Sequence, residues 1–351
     1  MSIDLEVTLA TKKKVGPQRK ATLKDVGILA KVDPSLVSRV LNADPKASAS
    51  AKTKARIISA AEKLNYSTNM SARNLKMAST MTIGLLLPDL TNPINDVVAH
   101  GVQERAAELG YGVIIANHSD IGGDRTMVQM LSHGHVDGII AFVHSVDDTV
   151  LENLTKNSNG RILPMNGKIR GIDGSVSLDD PLAAQMCVEH LIDLGHKKIV
   201  GLFAPSVNDS PKRRMNGFKR ACAMFDIEPN IVFTQGYGPR DGYLATLEAV
   251  SKYSPTAIFP SSNSYALGTY RALFEKKIRI PDDISVITLH NSHLTEFLTP
   301  PLTSVMLPAQ EMGKLSAEKL IEMLNGKKSK HYIVEGKPAL VLRGSTAPVP
   351  K

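Results

Sequence analysis

Residues 22–42 read TLKDVGILAKVDPSLVSRVLN, two short amphipathic helices joined by a three-residue turn. Thr22 and Asp25 have the spacing of a capping box at the start of the first helix, and Val26, Leu29 and Ala30 fall on one face of it. Asp33 is placed to cap the second helix, and Pro34 fits the first helical position, where its missing N–H costs nothing. Val37, Val40 and Leu41 then turn inward, leaving Pro34, Ser35, Ser38, Arg39 and Asn42 outward. A helix-turn-helix of this kind lays its second helix in the DNA major groove. An ordinary surface helix would show Glu and Lys on that face; here it is small, polar and carries one arginine. The alternative is a plain helical hairpin at the head of a globular domain.

Charge separates the two readings. Residues 1–80 hold 15 Lys and Arg against 6 Asp and Glu, leaving 27 basic and 28 acidic residues for the rest of the chain. The whole net charge of +8 therefore resides in the first quarter, as expected of a phosphate-binding module on a near-neutral body. Residues 1–20, with Lys12, Lys13, Lys14, Arg19 and Lys20 and no apolar period, are expected as a disordered basic tail.

At 351 residues the chain exceeds a single core and should divide. Cys187 and Cys222 lie in amphipathic helical stretches and read as small core residues rather than a disulfide. Neither a signal peptide nor a membrane-length apolar run is evident, so a cytoplasmic protein is expected. Ser50 can cap a third helix whose stripe is Ile57, Ile58, Ala61 and Leu64. Residues 67–80 hold too little apolar surface to bury and could form one or two turns around SARNLK. From residue 82 the texture changes: TIGLLLP, YGVIIAN and VDGIIAF are strand-like runs alternating with amphipathic helices, and the alternation continues to DISVITL. Repeated βαβ units imply parallel sheets covered by helices, and some ten strands imply two sheets with a cleft between them.

In this order, TLKDV, VSRVLN, SAKT, IGLLLPDLTNP, ELGYGVIIAN, VDGII, VEHLIDLGHKKI, RMNGF, IPDDISVI, LTPPLTSV and RGST resemble the LacI/GalR family of bacterial transcription regulators. The likeness runs from Thr22 to Thr346. It implies an α/β protein with an N-terminal three-helix helix-turn-helix headpiece, a hinge helix, and two doubly wound lobes of the periplasmic-binding-protein type. The implied division is a tail at 1–20, a headpiece at 21–66, a hinge helix or linker at 67–80, and an effector-binding and dimerisation domain at 81–351. Its lobes are expected at 81–178 with 305–328, and at 179–304 with 329–346.

Carried over residue by residue, the resemblance implies base contacts from Pro34, Ser35 and Arg39, of which Arg39 alone offers a bidentate donor suited to guanine. Thr22, Ser38, Asn42, Ser50 and Thr53 match phosphate contacts, which set register without reading sequence. Ala72, Leu75 and Lys76 match the hinge, with Leu75 the minor-groove wedge. The implied function is a repressor that binds a palindromic operator as a homodimer and responds to a small-molecule effector in the interlobe cleft.

The chain departs from the family at four places. Lys31 stands where the turn usually has glycine, at a cost of about 1 kcal/mol if it is left-handed. Thr68 replaces the proline before the hinge, and Pro34 and Ser35 are small for base-reading positions. In the cleft, sugar-binding members carry an Asn-Asp pair where this chain has Ser262 and Asn263, and an Asp where it has His290, so those carboxylates are absent. Arg214 matches the effector-contacting arginine, with Arg213 beside it, and Asn92 and Asn95 line the opposite entrance. Without a matched acid, the expected ligand is anionic or a polar sugar derivative.

His118, His133, His135 and His144 lack a tight metal-ligand spacing, so no metal site is expected, and no cofactor. No GxGxxG, P-loop or GxSxG motif is present, which argues against a doubly wound enzyme. A soluble sensor or carrier protein without operator function is the remaining rival, disfavoured by the basic headpiece.

Overall fold

The computed structural model describes residues 21–42, 44, 47–66, 79–88, 92–117, 123–143, 155–156, 160–205 and 209–349. The tail, Thr68, the hinge residues Ala72, Leu75 and Lys76, and His118 and His144 lie outside the described residues. The chain forms two compact units, residues 1–78 and 79–351.

The first unit holds α1 (Leu23–Ala30), α2 (Pro34–Leu41) and α3 (Ala51–Lys63). Their caps are the expected ones. The Thr22 hydroxyl accepts from Asp25 N, and the Asp25 carboxylate accepts in return from Thr22 N at 2.8 Å. Asp33 Oδ1 accepts from Ser35 N at 2.7 Å, and Ser50 Oγ from Thr53 N at 3.2 Å. Each such cap is worth about 1 kcal/mol to a helix of two or three turns. Lys31 ends α1 with φ 52° and ψ 50°, so the left-handed turn is kept despite the missing glycine. The core is small: Val26, Ala30, Val37, Ile57, Ala60 and Ala61. Leu29 and Ile58, expected on the inner stripes, are each 47% exposed. Helices this short cross at one point, so only about one apolar residue per turn reaches the shared interior. Arg56 ties α3 to the end of α1 through Nε to Ala30 O at 2.8 Å.

The second unit begins where Asp137 accepts from Thr80 N at 2.7 Å and Met81 N at 3.0 Å, which fixes the entry into the first strand. Chain order is β1 (Thr82–Leu87), α4 (Pro93–Glu108), β2 (Gly112–Asn117), α5 (Gly123–Ser132), β3 (Gly138–Phe142), β4 (Ile162–Met165), β5 (Ser175–Ser177) and α6 (Asp180–Asp193). It continues with β6 (Ile199–Phe203), α7 (Asp209–Met224), β7 (Asn230–Phe233), α8 (Pro239–Tyr253), β8 (Ala257–Pro260), α9 (Asn263–Glu275) and β9 (Ser285–Leu289). The last elements are β10 (Thr303–Met306), α10 (Ala309–Leu324), β11 (His331–Ile333) and β12 (Ala339–Val341).

Two six-stranded sheets result, ordered β11-β5-β4-β3-β1-β2 and β12-β10-β9-β8-β6-β7. Pairing is parallel except where β12 runs against β10. Both sheets wind identically, with the order reversing beside their first strands, β1 and β6. That reversal is where doubly wound sheets open a crevice at their strand C-termini.

The lobes exchange chain later than the sequence suggested. β10, assigned from residue 305 to the first lobe, pairs parallel with β9 in the second sheet. β11, assigned to the second lobe, pairs parallel with β5 in the first, anchored by Ser175 Oγ to His331 Nδ1 at 2.7 Å. The return crossings thus fall near 307–309 and 334–338. Strands of three residues carry too little periodicity to show which sheet they join.

Helices approach closely where glycine allows it. A Cβ on Gly101 of α4 would lie 2.1 Å from Gln310 O, and one on Gly313 of α10 would lie 2.3 Å from Val98 O. Gly217 of α7 sits equally tightly on Pro181 at the start of α6, 2.2 Å from its carbonyl oxygen. That contact brings the preceding turn of α7, with Arg213 and Arg214, over Asp180.

Candidate functional site

Two separate surfaces hold the residues singled out from sequence. On the headpiece, Ser35, Arg39 and Asn42 are exposed along α2, with Pro34 and Ser38 half-buried beside them. Arg39 lies back along its helix, donating from Nε to Ser35 O at 3.4 Å and from NH2 to Ser35 Oγ at 3.3 Å. Asn42 does the same one turn on, with Nδ2 to Ser38 O at 2.7 Å. The Arg39 contacts lie at the long, weak end of the hydrogen-bond range, whereas the Asn42 bond is of ordinary length. Thr22 and Ser50 sit at the N-termini of α1 and α3, with Thr53 hydrogen-bonded to Ser50 at 3.0 Å. Helix N-termini offer backbone N–H groups to an anion. Asp33, the one acid at the start of α2, has its carboxyl held below the usual value by the bond from Ser35.

In the second unit, a cavity of about 240 Å³ lies between the C-terminal ends of the two sheets. Asn92, Asn95, Arg214, Asn263 and His290 all line it, so the five cleft residues chosen from sequence come together. The volume suits a small molecule. Asn92 caps α4 by accepting from Ile94 N at 3.3 Å, which presents Asn95, 2% exposed, to the space. Asn263 opens α9 behind the cap made by Ser262. His290 follows β9 with φ 68°, a left-handed conformation uncommon outside glycine. Asn166, which follows β4, has φ 53° and also lines the cavity. One such strand end comes from each lobe, of the sort that gathers at functional sites.

Arg214 is fixed on three sides. Its Nε donates to Asp180 Oδ1 at 2.8 Å, NH1 to Ser261 O at 3.0 Å, and NH2 to His290 Nε2 at 2.9 Å. A guanidinium only donates, so that imidazole nitrogen accepts and the ring proton sits at Nδ1. Asp180 is fully buried, and its second oxygen takes a bond from Arg213 NH2 at 2.6 Å. Burial alone would raise its carboxyl pKa, but Arg214 and Arg213 outweigh burial and hold it below the usual value. Arg213 also pairs with Asp209 and donates to Asn166 Oδ1 at 2.9 Å.

This corrects the sequence reading of the cleft. An anionic ligand or a polar sugar derivative was expected because the family's cleft carboxylates are missing; Arg214 nevertheless has an acid partner in Asp180, from a helix start 34 residues upstream. Asn166, Tyr237, Tyr265 and Phe142 were also missed. A signal for Phe142 and Asn166 existed, since each stands at or just after the end of an apolar strand, where the winding opens the crevice.

The family described as "Bacterial regulatory proteins, lacI family" matches residues 22–69, and a periplasmic binding protein-like domain matches residues 188–346. The PurR repressor of Photobacterium profundum is 31% identical over 335 residues, covering 93% of this chain and 98% of its own. The chain belongs to the LacI family. The ribose operon repressor of Escherichia coli is 29% identical over 332 residues, covering 93% of this chain and 99% of its own. Among solved structures, the lac repressor dimer bound to operator and the anti-inducer ONPF superposes with a TM-score of 0.80 at 25% identity, covering 94% of this chain and 100% of that one. A LacI family regulator from Mycobacterium smegmatis gives a TM-score of 0.71 at 27% identity over 76% of this chain and 99% of that one. As a LacI-family member the chain is a DNA-binding transcriptional regulator: α1–α3 form the DNA-binding region and the cleft belongs to its effector-binding domain.

Of the histidines weighed as metal ligands, His133 and His135 stack edge to face with ring centroids 6.2 Å apart. Among the described residues no group of three metal-capable side chains forms. No described helix is long and apolar enough to cross a membrane.

Proposed function

We propose that this LacI-family regulator is a cytoplasmic repressor that binds a twofold-symmetric operator as a homodimer and answers to a small polar effector in the interlobe cleft. In this reading Pro34, Ser35 and Arg39 face base edges, with Arg39 carrying most of the readout because its neighbours are short. Thr22, Ser38, Asn42, Ser50 and Thr53 hold phosphates, and Ala72, Leu75 and Lys76 enter the minor groove. Asn92, Asn95, Arg214, Asn263 and His290 contact the effector. The carrying observation is that one chain combines a basic headpiece, whose α2 face is small and polar, with a walled cavity where those five side chains converge.

The test begins with selection of binding sites from random DNA using the full chain. A half-site repeated about a twofold axis, bound by a dimer in sedimentation, is expected. A thermal-shift screen of small metabolites then supplies a ligand, whose addition should change operator affinity severalfold. Selected sites without symmetry would defeat the dimeric operator. A ligand that binds and leaves operator affinity unchanged would defeat the effector role.

A further inference from the structure

Arg214 is the one charged side chain among the described residues that line the cavity, and its charge is already answered from behind the wall. Asp180 is fully buried; Oδ1 is taken by Arg214 Nε and Oδ2 by Arg213 NH2, so neither oxygen is left for a ligand. The other amino group of Arg213 pairs with Asp209. His290 accepts from Arg214 and so adds no positive charge. Two guanidinium groups thus face two carboxylates. The rest of the polar wall combines four carboxamides, Asn92, Asn95, Asn166 and Asn263, with four hydroxyl residues, Tyr237, Ser261, Ser262 and Tyr265. Carboxamides both donate and accept, which suits hydroxyl and heteroatom edges rather than a formal charge.

We infer that Asp180 is the specificity-determining residue of the cleft: by cancelling Arg214 out of the ligand's reach, it makes the cavity a site for an uncharged, hydrogen-bonding ligand and excludes anions. The inference rests on the cleft being the effector site. An anion entering would lose its hydration and find no uncompensated cation to repay that loss. A neutral ligand meets instead a guanidinium held rigidly as a donor, with its orientation fixed before binding. Asp180 touches no ligand and acts through Arg214.

The test uses inorganic phosphate as the probe, on the full chain, at constant ionic strength, reading melting temperature. The cleft's share of any response is the part lost in Arg214→Met. Wild type should show no such share up to tens of millimolar phosphate. Asp180→Asn should gain a saturable, Arg214-dependent response, at least about tenfold tighter than wild type. Asp180→Asn with Arg213→Met, which rebalances the charge, should lose it again. Asp209→Asn removes the same charge at a half-exposed position, so folding is safe, and should give a smaller gain in the same direction. An Arg214-dependent phosphate response in wild type overturns the inference, as does the absence of any gain in the folded carboxamide variants. Because phosphate is not the effector, none of these outcomes depends on whether the cleft controls DNA binding; that reading fails separately, through an operator affinity indifferent to a bound ligand.

Discussion

Arg213 and Asn166 join the two lobes across the edge of the cleft: the guanidinium on α7 donates to the carboxamide that ends β4, at 2.9 Å. Asn166 returns a bond from Nδ2 to Ser210 Oγ at 3.3 Å, so one first-lobe side chain is held twice by one helix of the second. Both Asn166 and Ser210 are buried, and Asn166 also lines the cavity. The same residue therefore ties the lobes together and lines the cavity.

Asn166→Ala removes both bonds and leaves buried polar partners unsatisfied, an effect of about 1–3 kcal/mol. Urea unfolding of the full chain should show that loss. Pulsed-EPR distances between spin labels on the two lobes should broaden; an unchanged distribution would mean that the lobes are held elsewhere.

Gly217→Ala places a methyl group against Pro181 O and pushes α7 away from α6. Overpacking of this kind costs about 1–3 kcal/mol. It should also misplace Arg214, so ligand affinity falls more than stability alone accounts for. Calorimetric titration with whichever ligand the screen supplies separates the two effects.

His196 is buried and pins the C-terminal segment through Nε2 to Ala347 O at 3.0 Å, while Nδ1 meets Thr256 Oγ1 at 2.9 Å. Burial lowers its pKa in the folded state below the ordinary 6.5, chiefly by desolvation. The folded protein thus favours the neutral ring, and the unfolded chain takes up the proton first. Stability is complete above about pH 6.5 and declines as pH falls from there toward the folded-state pKa. Melting curves between pH 5 and 8 should show this decline, and His196→Gln should flatten it.

Arg39→Ala and Ser38→Ala should part company on DNA. Losing Arg39 should relax base preference at one position per half-site, at about 1–3 kcal/mol. Losing Ser38 should weaken specific and random DNA alike. A selection with Arg39→Ala that returned the wild-type consensus would remove Arg39 from direct readout.

Much of this was legible in the chain itself. Local signals are written in neighbouring residues, so Thr22 with Asp25, Asp33 with Pro34, and the apolar runs from Thr82 onward announced caps, helices and buried strands. Even the turn at Lys31 kept its left-handed form, because the cost of about 1 kcal/mol is small beside the packing it permits. The five cleft residues were found through the resemblance to the LacI/GalR family, position by position, and they converge on one cavity.

The sequence by itself determined the order of elements, the basic headpiece on a neutral body, and the side chains that converge on the cleft. Only the tertiary structure decided that Leu29 and Ile58 face outward, that β10 and β11 join opposite sheets, and that Arg214 has an acid behind it. The physical reason is common to all three. Periodicity and capping act over a few residues, whereas sheet membership and ion pairing depend on contacts between segments tens or hundreds of residues apart. Asp180 reaches Arg214 because Gly217 lets two helices touch, and nothing in the spacing of those residues foretells that contact.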